Sequence, residues 1–235
     1  ESALKKRNNN QVILPNKISQ IFDQRTQNRI NCLPATLVSD GVCGMKWVSV
    51  FPENPLHGIR NVTGLVILSE LEHGLTLSVM DGTYMTSIRT AAIGAVAAKH
   101  LAKKPPETIG FIGAGQEARN HLDMIKFVKP TLKKCFGSSR RSSTVEEFIR
   151  CETKIHPDIE FVNCADNYKK ASENADIIVT ATSSQLKLLK AEYIKDGALY
   201  IHVGGIEDEY AVAEKANKII CDEWESVKHR SQTIS

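Results

Sequence analysis

The residues best placed to bind an anion run from Thr108 to Ala118, TIGFIGAGQEA. A short apolar run leads straight into Gly113, Ala114 and Gly115, and then into an uncapped helical pattern. Gly113 permits a tight turn, and Gly115 removes the Cβ that would hold the backbone away from phosphate oxygens. The helix then presents its unpaired N–H groups and positive dipole end to the anion. Ala118 supplies the third small residue. The pattern is therefore G-x-G-x-x-A, which seats a dinucleotide pyrophosphate when it falls between a strand and a helix.

The residues that follow bear on which dinucleotide. An NAD site places Asp or Glu about 20 residues beyond the glycines, against the ribose hydroxyls. No acid occurs from Thr131 to Val145; Leu132–Phe136 reads as the strand, and Gly137, Ser138, Ser139, Arg140, Arg141 and Ser142 follow it. Arginine forks and serine hydroxyls suit a 2′-phosphate. A solvated basic loop is the other reading. The offset from Gly113 favours NADP(H), with NAD as the alternative.

In the first half of the chain the candidates are cations. Lys46 lies in Gly44-Met45-Lys46-Trp47-Val48, among apolar neighbours, so its ammonium is expected to be partly enclosed. Such a lysine has an anionic partner or a lowered pKa that lets it move a proton. Arg89 sits in Ser87-Ile88-Arg89-Thr90-Ala91-Ala92, where a substrate carboxylate would satisfy it. For both, a structural ion pair or a side chain reaching out to solvent is the plain alternative. Lys17, after Pro15, is a third cation. His57, His73, His121 and His229 have no spacing that nominates a base, and His202 reads as structural.

The elements that must position these residues divide near Thr83–Lys104. Before it, strand-like runs cover Lys17–Phe22, Arg29–Leu33, Lys46–Phe51, Gly64–Leu68 and Leu75–Met80, the last two joined by a hairpin signal at Glu70–Gly74. Tyr84–Leu101 reads as a helix apolar on more than one face, hence buried and bridging two lobes, and Lys103-Lys104-Pro105-Pro106 stops it. Strands are then expected at Thr108, Leu132, Ile159, Ile177, Leu199 and Lys218, alternating with helices such as Ala118–Val128 and Thr144–Lys154. That alternation predicts an α/β fold with a doubly wound parallel sheet of the Rossmann type. A smaller α+β domain at residues 1–92 would precede this dinucleotide-binding domain at 93–235, with chemistry in the cleft between them.

The 235 residues, 42% of them hydrophobic, suffice for two cores, and a net charge of +3 with interspersed acids does not imply nucleic acid. No apolar run approaches the roughly 18 residues of a membrane span. The six cysteines have neither C-x-x-C pairing nor a histidine spacing that would hold zinc. They read as thiols in a reducing cytoplasm, and no metal site is expected.

Gly44–Pro55, Gly64–Leu68, Met80–Ala98 and Ile112–Ala118, in this order, resemble the ornithine cyclodeaminase and mu-crystallin family through nearly the whole chain. The resemblance implies that Lys46 and Arg89 hold the α-carboxylate of an amino acid or imine, assisted by Lys17. It also implies that Thr180, Ala181, Thr182, Val203 and Gly204 line the cofactor, and that the first domain makes a homodimer interface. Asn61 stands near a threonine that cyclodeaminases offer to substrate. Where cyclodeaminases have V-G-G-D, with aspartate as acid and base, this chain has Val203-Gly204-Gly205-Ile206, and Glu207 and Asp208 are expected to begin the next helix. Cys221–Arg230 is similar to the 2,3-diaminopropionate-biosynthesis dehydrogenases of the family. The implied function is an NAD(P)-dependent oxidoreductase acting on the C–N bond of an amino acid, an N-substituted amino acid or a cyclic imine. True cyclodeamination, or binding of NADPH and a small ligand with little turnover, are the alternatives. Measured against the family, the chain is expected to be a fragment, with further segments at both ends.

Overall fold

The computed structural model describes residues 1–102 and 104–224, and the chain divides into two compact units, Glu1–Thr86 and Ser87–Ser235. The first opens with a short helix, α1 (Ser2–Asn8), followed by strands β1 (Val12–Ile13), β2 (Ile18–Asp23), β3 (Asn28–Leu37), β4 (Val42–Val50), β5 (Val62–Glu70) and β6 (Thr76–Asp81). They form one antiparallel sheet in the order β1-β3-β4-β5-β6, with β2 also paired to β3. β4 starts at Val42 rather than at Lys46. Its first residues carry no alternation, yet they continue the ladder onto β5 from the pair Val42–Glu70. The register aligns Leu33, Lys46, Val66 and Met80 in one row across β3 to β6. Cys32, Trp47 and Leu65 form the adjacent row, which the pleat turns to the opposite face.

Helix α2 (Thr83–Leu101) begins where the Asp81 carboxylate accepts the Thr83 N–H at 3.0 Å. The expected burial on more than one face is corrected: Ala91, Gly94, Ala95 and Ala98 are buried, whereas Tyr84, Met85 and Arg89 are exposed. A stripe of small residues allows close packing on one side only. At Gly94 an added Cβ would come within 2.7 Å of the His121 ring.

The second unit alternates β7 (Thr108–Ile112), α3 (Gln116–Val128), β8 (Lys134–Ser138), α4 (Ser142–Ile155), β9 (Glu160–Asn163), α5 (Tyr168–Ser172), β10 (Ile177–Thr180), β11 (Leu199–His202) and α6 (Tyr210–Lys215). All five strands are parallel, in the order β11-β10-β7-β8-β9. Two of the expected strands turn out differently. Leu132 is buried ahead of β8 as a core anchor in the turn, which imitates a strand start. Lys218 lies in irregular chain, because no described residue pairs with the outer edge of β11.

On one face of this sheet Ile109, Phe111 and Val179 pack with Ala95 and Ala98 of α2, Leu122 of α3 and Phe148 of α4. Ile112 and Ile178 pack on the other with Leu189 and Val212. Full burial of a side chain such as Phe148 contributes about 1.5–3 kcal/mol. Among the described residues no helix is long and apolar enough to cross a membrane.

Candidate functional site

The sheet reverses its order between β7 and β10, and the turn after β7 lies at that switch point. Gly113 has φ +98°, and a Cβ there would stand 2.4 Å from the Ala181 carbonyl oxygen at the end of β10. Its N–H donates to the Ser138 carbonyl at 2.9 Å, and Ala181 N–H donates to Ile112 at the same distance. The turn is thus pinned to both neighbouring strands. Gly115 is exposed, and a Cβ added to it would meet nothing within 4 Å. Its bareness serves whatever approaches from outside.

Two helix N-termini open beside this turn. α3 has Gly115 as N-cap and α4 has Arg141, and neither has a side-chain cap. Both leave N–H groups available to an anion. A cavity of about 420 Å³ lies there, lined by Ala114, Gly115, Gln116, Arg119, Arg141 and Glu147, together with Ser143 and Thr144. Glu117, the one acid in the first turn of α3, accepts a 2.6 Å hydrogen bond from the Ser87 hydroxyl. Ser87 in turn accepts from Asn120, and Asn120 from Gln116. This chain of polar contacts ties Ser87 of α2, just ahead of Arg89, to the first two turns of α3 within the second unit.

Charge in the cavity is predominantly positive. Glu147 is held down at about 2, chiefly by two 2.8 Å hydrogen bonds from Arg150, and stands 3.8 Å from Arg119. Arg140 and Arg141 are exposed and make no ion pair among the described residues. Ser139 is half-buried and fixed by its N–H on the Ala165 carbonyl. Ser138 is buried inside β8, its hydroxyl donates to Phe111 at 2.8 Å and its carbonyl accepts the Gly113 N–H, so both are engaged within the sheet and the turn.

Across the switch point, Thr180 ends β10, and Ala181 and Thr182 follow it. Thr180 is buried, with its hydroxyl 3.0 Å from the Tyr200 hydroxyl and 3.2 Å from Glu207. Glu207 is the residue that sequence reasoning misplaced. Instead of beginning α6 it is fully buried, accepting the Thr182 N–H at 2.5 Å, while its carbonyl accepts from Leu188 and Leu189. Gly204 makes this possible, because a Cβ there would lie 2.1 Å from a Glu207 carboxylate oxygen. The signal was the doubled glycine, whose first member admits a side chain from behind. Val203 N–H donates to the Thr180 carbonyl at 3.0 Å. His202 lies 3.3 Å from Glu207 and 3.4 Å from Asp208 and stacks on Tyr200.

The first unit holds Lys17, Lys46 and Asn61. Lys46 is half-buried in β4 between Leu33 and Val66, beside Val48, the strand's one fully buried side chain. Lys17 is half-buried just before β2, and Asn61 is exposed just before β5, its carbonyl accepting from Phe51 at 2.8 Å. Arg89 belongs to the second unit. Of the Cys221–Arg230 stretch, residues 225–230 lie outside the described residues, as does Lys103.

Strand order, glycine turn and paired helix N-termini define the class: a doubly wound α/β protein with the switch-point crevice of the dinucleotide-binding folds. The chain belongs to the ornithine cyclodeaminase/mu-crystallin family, whose model matches residues 1–220. It is 32% identical over 225 residues to the alanine dehydrogenase of Archaeoglobus fulgidus, covering 92% of this chain and 65% of that protein. An archaeal alanine dehydrogenase dimer with bound NAD superposes with TM-score 0.83 at 30% identity, over 97% of this chain and 69% of the other. The Δ1-pyrroline-2-carboxylate reductase of Thermococcus litoralis, in complex with NADH and L-proline, gives 0.82 at 27% identity, over 88% of this chain and 64% of its own. The chain thus spans slightly under two thirds of the Archaeoglobus fulgidus alanine dehydrogenase and of the reductase.

Proposed function

We propose that this chain carries the dinucleotide- and substrate-binding parts of an NAD(P)-dependent oxidoreductase acting on the C–N bond of an amino acid, an N-substituted amino acid or a cyclic imine. The observation that carries this reading is the strained, strand-pinned Gly113 beside the open Gly115, at two uncapped helix N-termini. A nicotinamide dinucleotide bound there would supply the hydride acceptor and donor. Gly113, Ala114, Gly115 and Gln116 would hold its pyrophosphate, and Thr180–Thr182 with Val203–Gly204 would line it. Ser139, Arg140 and Arg141 support a 2′-phosphate and hence NADP(H). The solved relatives hold NAD or NADH, which makes NAD(H) the second arm of the test.

Lys46 and Arg89 would clamp the substrate carboxylate, with Lys17 and Asn61 assisting, so that orientation of the α-carbon supplies much of the rate. Lys46 would also hold or release the proton at nitrogen as the C=N bond forms or is reduced. Ile206 cannot exchange a proton, and the adjacent Glu207 is engaged by the Thr182 N–H, which supports net oxidation or reduction over cyclodeamination. A second copy of the chain is the proposed partner. The apolar row of the first sheet supports it: Ile18, Trp47 and Leu65 are 60%, 38% and 47% exposed. Six free thiols support a cytoplasmic setting.

Titration with NADPH and NADH, followed by a panel of alanine, ornithine, N-carboxyalkyl amino acids and cyclic imines, tests the proposal. We expect saturable binding, tighter for NADPH, and turnover with one class of the panel. Absence of binding to either dinucleotide would overturn the reading.

A further inference from the structure

Far from the glycine turn, toward the C-terminal ends of α3 and α4, three side chains converge that the proposed reaction does not use. Asp123 lies on α3; Glu152 lies in the last turn of α4, and His156 is that helix's C-cap. One ligand-type atom from each falls within 4.8 Å of the other two. His156 Nε2 is 2.7 Å from Asp123 Oδ1 and 3.9 Å from Glu152 Oε2.

Glu152 is the informative member. It is 1% exposed, and its Oε2 makes no hydrogen bond. A carboxylate enclosed in this way is strongly unfavourable unless something positive reaches it. His156 cannot do so as it stands. Nε2 carries at most one hydrogen, and Asp123 takes it at hydrogen-bond distance, leaving Glu152 beyond reach. The arrangement therefore has two carboxylates and one imidazole nitrogen around a space in which a single proton satisfies only one pair.

We propose that Asp123, Glu152 and His156 bind one divalent first-row cation, zinc in preference. A neutral imidazole with two carboxylates is the mixed nitrogen and oxygen set that such ions take, and a 2+ charge balances the pair of carboxylates. Bonds of roughly 2.0–2.2 Å in a tetrahedron place ligand atoms about 3.4 Å apart. The observed 2.7 and 3.9 Å bracket that value, and no pair of the three ligand atoms is more than 4.8 Å apart. Asp123, whose side chain is 44% exposed, leaves an approach for the ion and a position for water. The ion would staple α3 to α4, the two helices whose opposite ends open on the cavity at Gly115 and Arg141. The cysteine and histidine spacings that sequence reasoning searched for contain none of this, because Asp123 joins the other two only through the packing of the helices.

The test is titration of the chelator-treated full chain with Co²⁺ and then Zn²⁺, read by visible absorption and by the unfolding midpoint. We expect one Co²⁺ per chain with the weak visible bands of nitrogen and oxygen ligation, displacement by Zn²⁺, and a higher midpoint with Zn²⁺ present. Asp123→Asn, at a half-exposed position, should weaken binding by ~100-fold or more. Glu152→Gln should do the same while the metal-free variant unfolds no earlier than the parent, since the amide removes a buried charge. Absence of saturable Co²⁺ binding, binding of equal strength in Asp123→Asn, or an intense near-ultraviolet thiolate band placing the ion on the cysteines would each overturn the proposal.

Discussion

At the scale of single residues, the proposed preference for NADP(H) rests on Arg141 most directly. It lines the cavity, caps α4 and makes no ion pair among the described residues, whereas Arg119 faces Glu147 at 3.8 Å. Replacing a charge-assisted contact to phosphate costs about 1.5–3 kcal/mol, roughly 10- to 100-fold in affinity. Arg141→Glu should weaken NADPH by that factor and leave NADH nearly unchanged in a fluorescence titration. His121 is a different kind of residue. It is fully buried, its Nδ1 donates to the Glu117 carbonyl at 2.7 Å, and its Nε2 has no partner. Burial pushes its pKa down, opposed in part by the hydrogen bond to Glu117. The unfolded chain therefore binds this proton at higher pH than the folded one. The stabilisation is fully present above the unfolded value of about 6.5 and is lost as pH falls toward the folded value. Urea unfolding at about pH 7.5 and about pH 5.5 should show a loss of stability that is smaller in His121→Leu.

At the scale of elements, the turn between β7 and α3 divides a folding role from the proposed binding role between Gly113 and Gly115, on either side of Ala114. Gly113 is required by the backbone, with positive φ and a carbonyl 2.4 Å from any added Cβ, whereas Gly115 has open space around it. Gly115→Val should accordingly leave the unfolding midpoint near that of the parent and raise the dinucleotide Kd about tenfold or more, about 1.4 kcal/mol. A large fall in midpoint would show that Gly115 is structural. This turn was legible in the sequence because its chemistry is local: apolar strand, glycines and helix stand in consecutive residues. The helices α3 and α4 were legible for the same reason, within two residues at each end. The start of β8 was not, because Leu132 is a buried turn residue as apolar as a strand residue. Nor was Glu207, since acids ahead of a helix ordinarily serve its dipole, and only the packing against Gly204 and Thr182 draws this one inside.

At the scale of the whole molecule, the antiparallel sheet of the first unit leaves Ile18, Trp47, Leu65 and Val79 substantially exposed. An apolar face of this kind marks an interaction surface. Light scattering after gel filtration should give the mass of the proposed dimer for the parent and of a monomer for Leu65→Arg; an unchanged mass would remove this face from the proposed interface. Strand-like runs with a hairpin signal in the first half, and strands alternating with helices in the second, let the sequence indicate an α+β domain followed by a parallel doubly wound sheet. The strand at Lys218 failed because strand formation depends on a neighbour to pair with, which periodicity cannot supply. The central claim, net redox chemistry at a C–N bond, is tested most directly by the ratio of dinucleotide consumed to product formed with the best substrate of the panel. One dinucleotide oxidised or reduced per product is the expected result. Ammonia and a cyclic amino acid formed from ornithine with no net change in the dinucleotide would contradict it, and would assign cyclodeamination to a chain with Ile206 in place of aspartate.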